Sequence, residues 1–240
     1  MEETIHKGEK LYEGKAKIVY ATDDPDLVIQ HFKDSATAFD GKKKGTIKDK
    51  GAVNAQVSSK LFGLLEKAGI KTHFKELLNE REMLIEKLDM IPVEAIVRNV
   101  AAGSLSKRLG YEEGRALKKP IIEFYYKDDS LGDPMITHAH ALELGVVSEL
   151  DLDKIEILTY RINEVLRPFF AGRGLDLIDS KFEFGLKGGE VVLGDEISAD
   201  TCRFWDIETR ERLDKDRFRR DLGKVEEAYE EVLRRVMGEE

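Results

Sequence analysis

Between Leu177 and Asp206 the chain carries its densest set of residues able to do chemistry. In Leu177-Ile178-Asp179-Ser180-Lys181-Phe182-Glu183-Phe184-Gly185, the polar residues 179, 181 and 183 alternate with apolar 178, 182 and 184. A strand repeats every two residues, so Asp179, Lys181 and Glu183 are predicted on one face, with Ile178, Phe182 and Phe184 on the core face. A second strand, Glu190 to Asp195, follows Lys187-Gly188-Gly189. A two-residue Gly188-Gly189 turn would put Asp195 out of phase with Glu183. A three-residue loop, or an equivalent bulge, sets Asp195 opposite Lys181 and diagonal to Glu183, and this is the expected register.

Mg²⁺ takes one to three carboxylates when phosphate oxygens and water complete its octahedron. Glu183 and Asp195 are the expected metal pair. Neither His nor Cys stands among residues 177–196, which argues against zinc. The plainer alternative is a solvent-facing strand whose charges pair among themselves.

Basic residues nearby weigh against that alternative. In Gly14-Lys15-Ala16-Lys17 the two lysines are two apart and are expected to project to one side. Beside a flexible glycine they can cover a triphosphate without a Walker motif, which the chain lacks. Arg98-Asn99, then Ala101-Ala102-Gly103-Ser104 opening a short helix, offers a monophosphate a guanidinium fork, N–H groups and a hydroxyl; Ser104 as a simple cap is the competing reading. Arg203 is a third anion contact or an ordinary ion-pair partner. Thr137-His138-Ala139-His140 has no third ligand at metal spacing and is expected to be a surface turn. Lys42-Lys43-Lys44 is a solvated loop or a flap over an anionic substrate. Cys202 is expected to pack rather than attack, because no His lies near it in sequence. Lys127-Asp128-Asp129 forms a charged turn with no function of its own to read.

The elements that position these groups follow from periodicity. Leu11 to Tyr20 and Leu27 to Phe32 are predicted strands around the turn Asp23-Asp24-Pro25-Asp26. Val53, Val57, Leu61, Leu64, Leu65 and Ala68 give a helical stripe ending at Gly69. Met83 to Ile85 and Val93 to Val97 are predicted strands flanking a crossing at Leu88 to Pro92. A helix is expected over Ile155 to Phe169, stopping at Pro168 to Gly172. The last helix carries Phe218, Leu222, Val225, Tyr229, Val232 and Val236, whose stripe is expected to dock onto its own domain, with a homodimer seam as the alternative. The whole predicts an α+β protein opening on an antiparallel sheet, divided into a nucleotide-binding lobe over 1–88 and a substrate- and metal-binding lobe over 89–240.

Composition sets the outer limits. The chain has 240 residues, 39 Lys plus Arg against 48 Asp plus Glu, and a net charge of −9. Such a surface repels nucleic acid. With 41 % hydrophobic and 36 % charged residues, disordered and collagen-like classes are excluded. A chain this long buries roughly 70–75 % of its unfolded surface, enough for two lobes and a cleft. One cysteine allows no intramolecular disulfide, so a cytoplasmic location is expected. The absence of any run of about 18 apolar residues gives no reason to expect a membrane span.

Two longer stretches carry a resemblance. Ile91-Pro92-Val93-Glu94-Ala95-Ile96-Val97-Arg98-Asn99-Val100-Ala101-Ala102-Gly103-Ser104 and Leu177 to Gly185 resemble the two signatures of the phosphoribosylaminoimidazole-succinocarboxamide synthase (SAICAR synthetase) family. Leu11 to Lys17, Lys50-Gly51 with Asn54, Gly132-Asp133-Pro134, Gly194 to Ser198 and Arg203 to Asp206 are similar too, so the likeness spans Leu11 to about Tyr229. It implies a two-lobed fold akin to kinase and ATP-grasp lobes. It also implies an ATP-dependent ligase joining carboxyaminoimidazole ribonucleotide (CAIR) to L-aspartate through an acyl phosphate. On the matching positions, Gly14, Lys15, Ala16 and Lys17 would meet ATP phosphates, and adenine would lie near Leu84, Glu86 and Lys87. Glu183 and Asp195 would hold Mg²⁺, while Arg98, Ser104 and Arg203 would clamp the ribonucleotide phosphate. Asp179 and Lys181 would meet the imidazole's amine or carboxylate. The family has proline where this chain has Ala199, which implies a looser loop before Arg203. A kinase would share the lobes but need no aspartate. A silent nucleotide-binding module would have no reason to keep Glu183, Asp195, Arg98 and Arg203 together.

Overall fold

The computed structural model describes residues 5–38 and 42–238. Strands β1 (Lys10–Glu13), β2 (Lys17–Ala21), β3 (Leu27–Phe32), β6 (Phe74–Asn79) and β7 (Glu82–Glu86) form one antiparallel sheet in the order β1-β2-β3-β7-β6. Leu11 to Tyr20 is therefore not one strand. It breaks at Gly14-Lys15-Ala16, where the Gly14 N–H donates to the Lys17 carbonyl at 2.8 Å and the chain folds back. Strands β4 (Ser35–Ala38) and β5 (Lys43–Thr46) pair apart from this sheet. Lys43 and Lys44 thus lie in a strand rather than a loop, whereas Phe39, Asp40 and Gly41 lie outside the described residues.

The second sheet runs β10 (Met135–Ile136), β9 (Ala116–Tyr126), β8 (Asp89–Val100), β11 (Leu175–Lys187), β12 (Glu190–Gly194), with β13 (Cys202–Asp206) also paired to β11. The crossing between sheets is shorter than predicted, since Asp89 to Pro92 already belong to β8. Helices α1 (Lys50–Lys67), α2 (Gly103–Leu109), α3 (His138–Glu143), α4 (Glu149–Ala171), α5 (Asp216–Arg219) and α6 (Val225–Met237) complete the described elements. His138 and His140 open α3 rather than occupying a turn. Thr137 caps them, accepting from the His140 N–H, because a β-region residue with a hydroxyl satisfies an orphan helix donor.

One hydrophobic core joins both sheets. Val93, Ala95 and Val97 of β8 and Phe182 and Phe184 of β11 face Ile155, Ile162, Leu166 and Phe170 of α4, all within 0–1 % of complete burial. Each such side chain contributes about 1.5–3 kcal/mol. Ile178 departs from this set. A register shift between Leu177 and Asp179, where β11 meets β13, diverts it to a small cluster with Val100, Ala102 and Trp205. The predicted final helix is interrupted as well: Asp221, Gly223 and Lys224 all have positive φ, which separates α5 from α6. Tyr229, Val232 and Val236 of α6 are buried in the chain's own core, so this stripe docks internally.

Candidate active site

The face of the second sheet opposite that core is polar. Register places Asp179 beside Arg98, Lys181 beside Ile96 and Glu183 beside Glu94 on β8, and Ile96 beside Glu123 on β9. Asp179 also pairs with Arg203 on β13. Period-two geometry therefore gathers Glu94, Arg98, Glu123, Asp179, Lys181, Glu183 and Arg203 on one surface. Asp179 and Glu183 are four residues apart, about 13 Å along the strand.

The hairpin leading to Asp195 is not the expected one. Gly188 (φ 58°) and Gly189 (φ 80°) form a two-residue turn, Lys187 pairs with Glu190, and Glu183 pairs with Gly194. In that register an extended Asp195 would face the wrong side. Instead β12 ends at Gly194 and Asp195 takes φ 60°, a left-handed kink that works as the bulge would have. Its carboxylate accepts from Lys17, which also donates to Glu196 at 2.9 Å.

At this acidic end, Glu94, Glu183, Asp195 and Glu196 surround Lys17, Lys127 and Lys181. Lys127 is bonded to Glu183, and Lys181 lies 2.9 Å from Glu94 and 3.8 Å from Glu183. Burial pushes the Lys17 and Lys181 ammoniums toward losing their protons, but the carboxylates outweigh it and hold both well above the usual lysine range. The two glutamates diverge. Burial drives Glu94 up despite Lys181, whereas Lys181 and Lys127 overcome burial and hold Glu183 below the ordinary carboxylate value. Lys15 separates from Lys17: it sits in the β1–β2 turn and reaches Asp129 at 2.9 Å on the rim.

At the other end, Arg98 is 2 % exposed and spends all three guanidinium nitrogens. Nε donates to Glu123 at 2.8 Å, Nη1 to Asp179 at 2.9 Å and Nη2 to Ser104 at 2.9 Å. Arg203 donates to Asp179 at 2.8 and 3.0 Å and to Asp216 at 2.9 Å. Gly103, at φ 54°, lets Arg203 lie flat against the start of α2; a Cβ there would stand 2.7 Å from Nη2. The Ala199 loop is held tightly without proline: Ser198 Oγ donates to Glu196 at 2.5 Å, the Asp200 N–H donates to that oxygen, and the Thr201 N–H reaches the Ser198 carbonyl.

Leu84 lies inside β7 between β3 and β6, and is 4 % exposed. The N–H groups of Glu86 and Lys87 donate to the His73 and Asp26 carbonyls at 2.7 and 2.8 Å. Leu88 packs on Gly185, where a Cβ would stand 2.7 Å away.

Among the described residues no three or more His, Cys, Asp or Glu side chains converge as a self-sufficient metal cage. The donor set nevertheless fits Mg²⁺. Glu183 and Asp195 both lie in the fields of Lys17 and Lys181, four carboxylates outnumber three ammoniums, and phosphate oxygens can supply the remaining ligands.

Sequence reasoning missed Glu94, Glu123, Lys127, Glu196 and Asp216. Alternation in Val93-Glu94-Ala95-Ile96-Val97-Arg98 and in Ile122-Glu123-Phe124 could have found the first two. Lys127 and Glu196 lie on connections, and Asp216 opens the four-residue α5, too short for a periodic signal. Cys202 is buried as expected, and burial pushes its thiol up to about 12.

Known proteins resemble this chain over nearly its whole length. The family model for SAICAR synthetase matches residues 10–236. A phosphoribosylaminoimidazole-succinocarboxamide synthase of Desulfitobacterium hafniense (strain Y51) is 60 % identical over 232 residues, covering 97 % of this chain and 98 % of its own. The crystal structure of the corresponding synthase from Ehrlichia chaffeensis superposes with a TM-score of 0.93 at 51 % identity, covering 95 % of this chain and 98 % of that one. A SAICAR synthetase solved in complex with ADP gives a TM-score of 0.92 at 52 % identity, covering 95 % of this chain and 98 % of its own. A full-length sequence match and a superposable fold leave one assignment: the chain belongs to the SAICAR synthetase family.

Proposed function

We propose that this chain joins CAIR to L-aspartate with ATP, giving SAICAR, ADP and phosphate in purine biosynthesis, and that the reaction runs on the polar face of the second sheet. The observation that carries this reading is the pairing on one surface of a lysine–carboxylate cluster with a buried two-arginine clamp, bridged by Asp179, Lys181 and Glu183. A carboxylate resists amine attack until its oxygen becomes a leaving group. Transfer of the γ-phosphoryl group to the CAIR carboxylate gives an acyl phosphate and ADP. The aspartate amine then adds to the acyl carbon, the C–O bond breaks, and phosphate leaves as the amine gives up a proton.

Arg203 and Ser104 hold the ribonucleotide phosphate, with Arg98 buried behind Ser104 adding positive charge, so the imidazole extends along β11 toward Lys181. Asp179 keeps both guanidiniums aimed while itself facing the ring amine. Lys181, charged and poised between Glu94 and Glu183, meets the reacting carboxylate. Lys17 and the Gly14-Lys15-Ala16 turn cover the ATP phosphates. Adenine lies by Leu84, Glu86 and Lys87, at the end of β7 where the first sheet gives way to the second. Mg²⁺ held by Glu183 and Asp195 would draw charge from the phosphates. The first sheet ends at Glu86 and the second begins at Asp89, which supports lobes divided at residue 88. A buried, unpaired thiol and substrates of this kind favour the cytoplasm. A homodimer would have to use a surface other than the α6 stripe.

The test is turnover of purified protein with ATP, Mg²⁺ and CAIR, with and without aspartate, following ADP and ultraviolet absorbance. Aspartate-dependent product is expected. ADP release without aspartate and with phosphorylated product would make the chain a kinase, and no turnover would make it a binding module. Glu183→Ala should lower kcat by orders of magnitude with the fold intact, and wild-type rates would remove Glu183 from the metal site.

A further inference from the structure

His73 lies beneath the acidic end of the site and takes no part in the mechanism above. It is 2 % exposed, and neither ring nitrogen closes a hydrogen bond of full geometry, although the Asp195 main chain lies beside the ring. Its ring packs edge-on against Phe62, with centroids 5.1 Å apart. Its backbone joins the two sheets: the N–H donates to Leu193 at 2.9 Å, and the carbonyl accepts from Glu86 at 2.7 Å. Leu193 stands two residues before the left-handed Asp195, and the imidazole lies in the fields of Asp195 and Lys17.

A buried imidazole that closes no full hydrogen bond is unfavourable, a cost that phenylalanine beside Phe62 would avoid. The polar ring is therefore useful in a state other than this one. In this structure Lys17 satisfies the Asp195 carboxylate. When Lys17 turns to nucleotide phosphates, Asp195 loses that donor while keeping its left-handed kink. A neutral imidazole carries one N–H, and His73 lies beside the residue left short.

We propose that His73 is a positioning residue for Asp195, closing a ring N–H onto it in the nucleotide-loaded state and fixing its carboxylate toward the metal. This rests on the reading of Asp195 as a metal ligand and Lys17 as a phosphate contact. Outer groups that orient a metal-binding side chain typically change metal affinity 10- to 100-fold.

Calorimetric titration of the full chain with ADP, in the presence of Mn²⁺ or of EDTA, tests it. Wild type should bind ADP more tightly with Mn²⁺. His73→Phe should weaken Mn²⁺-dependent binding about 10- to 100-fold, leave metal-free ADP binding within about twofold, and melt no lower than wild type. His73→Asn or His73→Gln, each keeping an N–H donor, should recover most of the loss. As a readout independent of folding in the variants, imidazole ¹⁵N resonances of wild-type His73 should gain a slowly exchanging N–H on adding Mg²⁺ and ADP. If His73→Phe binds Mn²⁺ and ADP like wild type, or the resonances do not move, the inference is wrong while the metal site stands. If Mn²⁺ fails to tighten ADP binding in wild type, the metal site and this inference fall together.

Discussion

Asp216 shows how single charges on this surface are governed by their partners. Burial raises its carboxyl, but Arg203 and Arg219 outweigh it and hold it below the ordinary 3.8. A depressed carboxylate contributes stability above its unfolded value and loses it as pH falls through the folded one. The melting temperature of Asp216→Asn should therefore lie below wild type at pH 7, with the gap narrowing as pH falls below about 4. A gap independent of pH would assign the loss to packing. Cys202 gives a second residue-scale expectation. With its thiol pushed up to about 12, about one molecule in ten thousand is thiolate at pH 8. Iodoacetamide should leave it unmodified until the chain is unfolded, as followed by mass spectrometry.

At the scale of elements, the loop from Asp195 to Arg203 links the carboxylate proposed to hold metal to the arginine proposed to clamp phosphate, and buried charge anchors it. Asp200 accepts from Lys50 at 2.8 Å, Lys215 at 3.3 Å and Tyr229 at 2.6 Å, so α1, α6 and the segment before α5 all converge on one carboxylate. Asp200→Asn leaves one buried and one half-buried ammonium facing a neutral amide and should cost about 3–5 kcal/mol in urea unfolding. Adding Lys50→Met should return part of that loss, because the two sites share one interaction. Gly51 fixes the entry of α1 by close approach: a Cβ would stand 2.4 Å from the Phe32 carbonyl oxygen. Gly51→Ala should destabilise by about 1–3 kcal/mol.

For the whole molecule, the first sheet and the second close on one core, so a nucleotide held between them should stabilise both. Mg²⁺ with ADP at about 100 times Kd adds about 2.7 kcal/mol. For a chain of this size that raises Tm by about 5–10 °C in differential scanning fluorimetry. Asp195→Asn should remove most of the Mg²⁺-dependent part of the shift, and a shift indifferent to Mg²⁺ would take Asp195 out of metal binding.

Local pattern determined much of this chain. Period two set Asp179, Lys181 and Glu183 on one face, and helical stripes located α1, α4 and α6, because burying apolar side chains forces the element's own repeat onto the sequence. Family membership was also legible, in two long signatures whose Glu94, Arg98, Asp179, Lys181 and Glu183 share one sheet face. Tertiary structure decided what has no local period. The hairpin's length, the left-handed turn of Asp195, the parting of Lys15 from Lys17 and the break before α6 depend on positive-φ residues and on partners distant in sequence. Glu94, Glu123 and Asp216 became partners of Lys181, Arg98 and Arg203 only once strands and helices were brought side by side, since pairing between distant carboxylates and cations is fixed by register and packing.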